Sequence, residues 1–216
     1  MAMVTRAKTE TVTGVISAPN IRAVQFKIVG NAPYMQARFA EKAIHAMMGK
    51  MDGSVTPAKR GARDKRDFDA DYRGAMHVST EGWAGIPASS IRAAMISACR
   101  LVGFKMTLAK LSVFVKADGF DKVDGQPLIR LYGEPERCDM PVRNATGVFD
   151  IRVRPMWREW HAMPVIQFDA DQFSVTDVAN LLARVGMQVG LGEGRPDSRM
   201  STGLGYGTFD VVSTGA

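Results

Sequence analysis

The pattern of hydrophobic and polar positions changes period several times along this chain, and each change marks an element. Residues 11–16 and 21–29 alternate apolar with polar side chains and are rich in β-branched types. That pattern predicts two strands joined in a hairpin-like turn through Ala18, Pro19 and Asn20. Over residues 33–48 the spacing becomes helical, with Met35, Phe39, Ala43 and Met47 on one face and Gly49 as the stop. Residues 75–79 read as a short strand. A second helix is expected over 91–102, with Ile91, Met95, Ala98, Cys99 and Val102 as its apolar stripe. Ser89 or Ser90 stands where a cap belongs, and Gly103 lies just past the end. Residues 111–115, 128–132, 149–153 and 163–168 read as strands. A third helix is predicted over 174–186, opened by Ser174 and Asp177 in capping-box spacing and carrying Val178, Leu181, Leu182 and Val185 inward. Residues 208–212 form a last strand.

Helices interrupt the strands singly and no sequence repeat is visible. The expectation is therefore an α+β chain with a mainly antiparallel sheet and helices on one face. A ferredoxin-like or RRM-like core with insertions fits that order. At 216 residues the chain reads as a single domain. Residues 50–72 lack apolar periodicity and read as an inserted, mobile basic loop.

Charge sharpens this reading. There are 28 basic and 22 acidic residues, a net charge of +6. This excess favours a polyanionic partner without requiring one. Part of it is concentrated in the loop, where Lys59, Arg60, Arg63, Lys65 and Arg66 surround the single acid Asp64. A loop of this kind is either a solvated connection or an arm that orders on a polyanion. Six glycines, Gly190, Gly192, Gly194, Gly203, Gly205 and Gly207, fall within eighteen residues near the end, with Arg195 and Arg199 among them. Glycine permits positive φ and close approach, so this loop is expected to turn its amides outward as an anion-binding concavity. Tyr206 in the same loop suits either base stacking or edge packing. In residues 150–154, alternation puts Arg152 and Arg154 on one strand face, next to Trp157 and Trp160. Such a surface serves phosphate contact or simply solvation.

Two segments together carry a family resemblance. Ile86-Pro-Ala-Ser-Ser-Ile-Arg-Ala-Ala-Met95 is similar to the "IPGSSLKGxxR" segment of the RAMP superfamily, the repeat-associated proteins of CRISPR effector complexes. Gly192-Glu-Gly-Arg-Pro-Asp-Ser-Arg-Met-Ser-Thr-Gly-Leu-Gly-Tyr-Gly207 resembles that superfamily's C-terminal glycine-rich loop, and the two occur in the family's order. The likeness is greatest to the repeated backbone subunit that lines the guide RNA. Ala88 and Ala93 stand where that family has glycine, and Glu193 places a negative charge in the loop, as in a diverged relative of phage or mobile-element origin. The resemblance implies binding of single-stranded RNA, or else single-stranded DNA. It further implies head-to-tail assembly of copies, with other CRISPR-type complex subunits as further partners. The residues expected at the strand are Ser89, Ser90 and Arg92 of the first segment, then Gly192, Gly194, Arg195, Arg199, Gly203, Gly205 and Tyr206 of the second. The basic loop joins them, as do Arg152 and Arg154.

Enzyme chemistry is less visible. His45, His77 and His161 are scattered, and Cys99 and Cys138 have no metal or redox spacing. No dinucleotide or P-loop fingerprint occurs, so neither cofactor nor metal is expected. Some relatives cleave RNA with a histidine or a loop aspartate. A RAMP-type endoribonuclease therefore stands as the alternative, with Asp64, Asp67, Asp69 and Asp71 as loop acids. A phage structural or assembly protein without nucleic acid is a third reading. With no apolar segment long enough to span a bilayer and two unpaired cysteines, a cytoplasmic protein is expected.

Overall fold

The computed structural model describes residues 17–39, 41–53, 66–143, 147, 149–198 and 203–212. The expected strand at 11–16 lies outside them, as do Lys59, Arg60, Arg63, Asp64, Lys65 and Arg199.

The chain is α+β, with antiparallel strand pairing throughout the described residues. The expected strand over 21–29 forms as β1 (Ile21–Gln25) and β2 (Lys27–Gly30), interrupted at Phe26. The Phe26 amide still donates to the Pro164 carbonyl at 3.0 Å, so the two halves follow one path across the sheet. Next come β3 (Tyr34–Met35), α1 (Glu41–Met51), α2 (Phe68–Gly74) and β4 (Gly85–Pro87). Helix α3 (Ala88–Ala98) follows, then α4 (Met106–Ser112), β5 (Val113–Lys116), β6 (Gly119–Phe120) and β7 (Pro127–Tyr132). The remainder is β8 (Glu136–Arg143), β9 (Phe149–Trp157), β10 (His161–Ala162), β11 (Val165–Asp169), α5 (Val175–Arg184) and β12 (Phe209–Val212).

Register sets the architecture. β12 pairs with β2, β2 with β10, and β10 with β7, while β1 pairs with β11 and β11 with β5. Taking β1 and β2 as the first path, β5 and β7 as the second, β10 and β11 as the third and β12 as the fourth, the order is first, third, second in the sheet β1-β11-β5, and fourth, first, third, second in the sheet β12-β2-β10-β7, which β4 extends beyond β7. Helix α3 lies in sequence between the first two paths and α5 between the last two. Both bury apolar residues in one core: Ile91, Met95 and Ala98 from α3; Val178, Leu181 and Leu182 from α5; Ile28, Ile129, Ile166 and Phe209 from the strands. A separate sheet of β3, β9 and β8 stands beside this core.

Several sequence expectations are corrected. Residues 33–48 do not form one helix: Tyr34 and Met35 pair with β9, and the helix begins at Glu41. Gly49 does not stop α1, which continues to Met51. Phe39 and Met47, placed on its inward face, are exposed. The chain instead buries Met35 as a strand residue. Residues 111–115 are expected as strand throughout, but Leu111 and Ser112 close α4 and pairing starts only at Val113. Val102 is exposed because Cys99–Val102 tightens into a 3₁₀ turn that rotates it off the α3 stripe, ending at Gly103 with φ 71°. The basic loop is shorter than 50–72 at both ends. Asp67 caps α2 through the amides of Asp69 and Ala70, Asp69 pairs with Arg137, and Asp71 pairs with Arg66. β8 is not among the expected strands: its Cys138, Met140 and Val142 alternate, but Pro141 and charged residues obscure the pattern, and it is held by an eight-residue register against β9. The α5 expectations hold: Ser174 and Asp177 form the capping box, and Val185 is buried with the other three stripe residues.

Candidate nucleic-acid groove

The two segments that carry the resemblance meet in space. Helix α3 and the loop after α5 line two adjoining cavities of about 310 and 340 Å³ that share Ser90, Gly192 and Arg195. The first continues along α3 past Ala93, Ala94 and Ser97 to Asp197. The second opens toward Tyr34, Gln36 and His77. Ser97 Oγ donates to Asp197 Oδ2 at 2.5 Å, and Arg100 Nη2 adds a bond to the same oxygen at 2.8 Å, tying the loop to the helix across the groove. Those two donors, with the Ser97 bond the stronger influence, hold the Asp197 carboxyl below its usual value.

The loop is more closed than its glycines suggested. All six have positive φ, between 69° and 77°. At Gly207 a Cβ would lie 1.8 Å from the Leu191 carbonyl oxygen, and at Gly192 one would lie 2.3 Å from that of Met35, so neither site admits a side chain. The close approach is used for hydrogen bonding. Leu191 N donates to Gly207 O, Glu193 N to Met35 O, Gly207 N to Pro33 O, and both Leu204 N and Tyr206 N to Gly194 O. Most of the amides expected to face an anion are therefore consumed in bracing the loop. The amides of Gly192 and Gly194 have no backbone acceptor among the described residues. Arg195, half-buried, gives Nη1 to the Gly192 carbonyl at 3.0 Å and keeps its other donors at the groove. Gly203 and Gly205 lie where the loop turns back toward β12, and Tyr206 packs against Gly194.

Other expected contacts are directed elsewhere. The α3 N-cap is Pro87 and no serine caps it; Ser90 Oγ donates to the Pro87 carbonyl at 2.7 Å, while Ser89 is exposed. Arg92 donates Nε to the Val113 carbonyl at 2.8 Å and Nη2 to that of Lys110, and stacks over Phe114 at 5.1 Å. It thereby binds the C-terminal end of α4, where the carbonyls lack helical partners. Arg152 and Arg154 do share a face of β9, as alternation requires. That face meets Glu193 at 3.4 and 2.7 Å, so the acid in the glycine loop neutralises the arginine row. Arg66 is held by Asp71 and Asp150.

Sequence reading missed a buried network at the groove's second opening. Asp121, 1% exposed at its side chain, accepts from His77 Nδ1 at 2.9 Å and lies 3.6 Å from Arg38 Nε. Burial opposes its ionisation, but the Val123 amide, His77 and Arg38 outweigh burial and keep the carboxyl below its ordinary value. Asp124 approaches Arg38 Nη2 at 3.6 Å. His77, Asp121 and Asp124 offer donor atoms within 4.8 Å of one another, yet the Arg38 guanidinium already supplies the positive charge there. Gln36 completes the wall: its Nε2 donates to the Gly85 carbonyl at 2.7 Å and its Oε1 accepts from the His77 amide. No spacing signal links residues 36, 38, 77 and 121; only the fold brings them together. Among the described residues no helix is long and apolar enough to cross a membrane. No family model matches the chain, and no curated protein matches it.

Proposed function

We propose that this chain binds single-stranded nucleic acid, RNA in preference to DNA, without reading its sequence. The strand lies in the groove between α3 and the glycine loop. One observation carries the reading. Ser90 and Arg195, more than a hundred residues apart, line the same two cavities with Gly192. The site supplies a guanidinium, a hydroxyl, the uncapped start of an eleven-residue helix and two glycine amides, all suited to phosphate oxygens. Phosphate contacts position a strand without specifying bases.

The same proposal covers the core. A β-α-β-β-α-β order with the fourth, first, third and second strands side by side supports a ferredoxin-like, RRM-like fold. The resemblance to RAMP backbone subunits and head-to-tail assembly along the strand belong to this proposal too. The experiment is to purify the protein from cells and run size exclusion before and after RNase or DNase. Large particles rich in ultraviolet absorbance at 260 nm and dispersed by RNase are expected. An assembly indifferent to both enzymes would favour the structural reading.

A second reading, a metal-independent endoribonuclease, is favoured by His77. Asp121 holds its Nδ1, leaving Nε2 as the ring nitrogen free to exchange a proton in the cavity that Ser90 and Arg195 also line. Cleavage of labelled RNA without magnesium, abolished by His77→Ala, would promote it. His45 is exposed on α1 and His161 is stacked on Tyr132, so neither lines the groove.

A further inference from the structure

A second surface, separate from the groove, combines aromatic rings with an unpaired cation. Along β7, Ile129 and Leu131 enter the core shared with the helices, so Arg130 and Tyr132 stand exposed on the other face of the sheet. His161 is the register partner of Tyr132 on β10, and the two rings stack at 4.6 Å with only 5° between their planes. The Arg130 guanidinium lies 5.3 Å from the Tyr132 ring and 5.9 Å from the Trp83 ring. Trp83 is seated over two glycines: a Cβ at Gly119 would come within 2.6 Å of its ring, and one at Gly85 within 3.1 Å. Its Nε1 donates to Glu81 at 3.1 Å. His161, Tyr132, Arg130 and Trp83 thus form one ladder across β10, β7 and the segment before β4.

Arg130 differs from four arginines on or beside β8 and β9. Arg137, Arg152, Arg154 and Arg158 each hold a carboxylate, whereas the Arg130 guanidinium has no hydrogen-bond acceptor among the described residues. Flanking rings restrict its rotamers, so an incoming phosphate meets a planar fork that is already oriented. Rings at a sheet surface accept any base, because every base has a π-face. Lys27 lies two residues from Val29, the partner of His161 on β2, and adds a positive charge; the acids bordering the ladder are Glu81, held by Trp83, and Asp118, which accepts from the Arg130 backbone amide at 2.9 Å.

We propose that this ladder is a second contact for single-stranded nucleic acid. Arg130 grips a phosphate, and Trp83, Tyr132 and His161 pack against bases. The choice of ligand rests on the nucleic-acid reading above, while none of the residues belongs to the groove.

Trp157 and Trp160 are buried, so a change in tryptophan emission on titration with an oligouridylate reports chiefly on Trp83. The expected result is quenching by the oligouridylate and none by base-free polyphosphate. Trp83→Phe should lose the signal, and Arg130→Ala should bind about tenfold more weakly with an unchanged melting temperature. Arg130→Lys should recover only part of that loss, because it restores the charge and not the fork. Equal quenching by polyphosphate would overturn base stacking here. Undiminished oligouridylate binding by Arg130→Ala, alongside weakened binding by Arg195→Ala, would overturn the ladder and leave the groove standing. The reverse pattern would support the ladder and remove the groove. No binding by the unaltered protein would overturn both.

Discussion

Arg92 and Asp121 each have a role that their residue type alone does not reveal. Arg92 follows two serines at a helix start, which in sequence reads as a phosphate contact. Its donors are taken by the Val113 and Lys110 carbonyls, so its role is to fix α4 and β5 against α3. Arg92→Ala should therefore lower stability by about 2 kcal/mol, since hydrogen bonds to charged groups contribute roughly that much. Affinity of the folded variant for oligonucleotides should be unchanged; urea melts and fluorescence anisotropy measure the two quantities separately. Asp121 holds His77 and Arg38 in the interior. Its carboxyl and that of Asp197 are held below their ordinary values, so the stability they add is full above the unfolded value of about 3.9 and is lost as pH falls through the folded values. Denaturation midpoints should be flat near neutral pH and decline below about pH 4. Asp121→Asn should cost about 3 kcal/mol at neutral pH, because it removes the buried partner of the Arg38 guanidinium and leaves only the more exposed Asp124 beside it, and should flatten the acid decline.

At the scale of elements, the glycine loop is a braced strap, with its curvature set by positive-φ glycines and its amides joined to one another and to β3. Glu193 locks this strap to β9 through Arg152 and Arg154. Glu193→Gln should release both arginines and raise affinity for any polyanion several-fold, with a steeper salt dependence. Unchanged affinity in a filter-binding assay would show that the arginine row faces away from the strand. Elements whose burial follows their own periodicity were legible in sequence. α5 is the clearest, because its cap and its four-residue stripe are both local, and β7 and β11 follow. Elements defined by a partner were not. Tyr34 and Met35 join β9, more than a hundred residues distant, and in β8 the alternation of Cys138, Met140 and Val142 is broken up by Pro141 and charged residues. The helical spacing over 33–48 was misleading because Met35 is buried in a sheet while Phe39 and Met47 face outward.

For the whole molecule, the sequence singled out the helix start and the glycine loop as separate candidates, but did not show that they form two walls of one groove. That juxtaposition depends on α3 and α5 packing against the same sheet. The His77 network at its mouth was illegible for the same reason. Net charge is a poor guide to this surface, because Arg66, Arg100, Arg137, Arg152, Arg154 and Arg158 are all paired with carboxylates. Binding in the groove must then rely first on Arg195, the cation that lines both of its cavities. The most direct measurement is the affinity of a fluorescently labelled single-stranded RNA as a function of salt, for the unaltered protein and for Arg195→Ala. Affinity should fall linearly with salt on logarithmic axes, and Arg195→Ala should weaken unrelated sequences alike and reduce the slope by about 0.7, the share of one phosphate on a single strand. An identical slope and affinity in the variant would contradict the assignment of the groove.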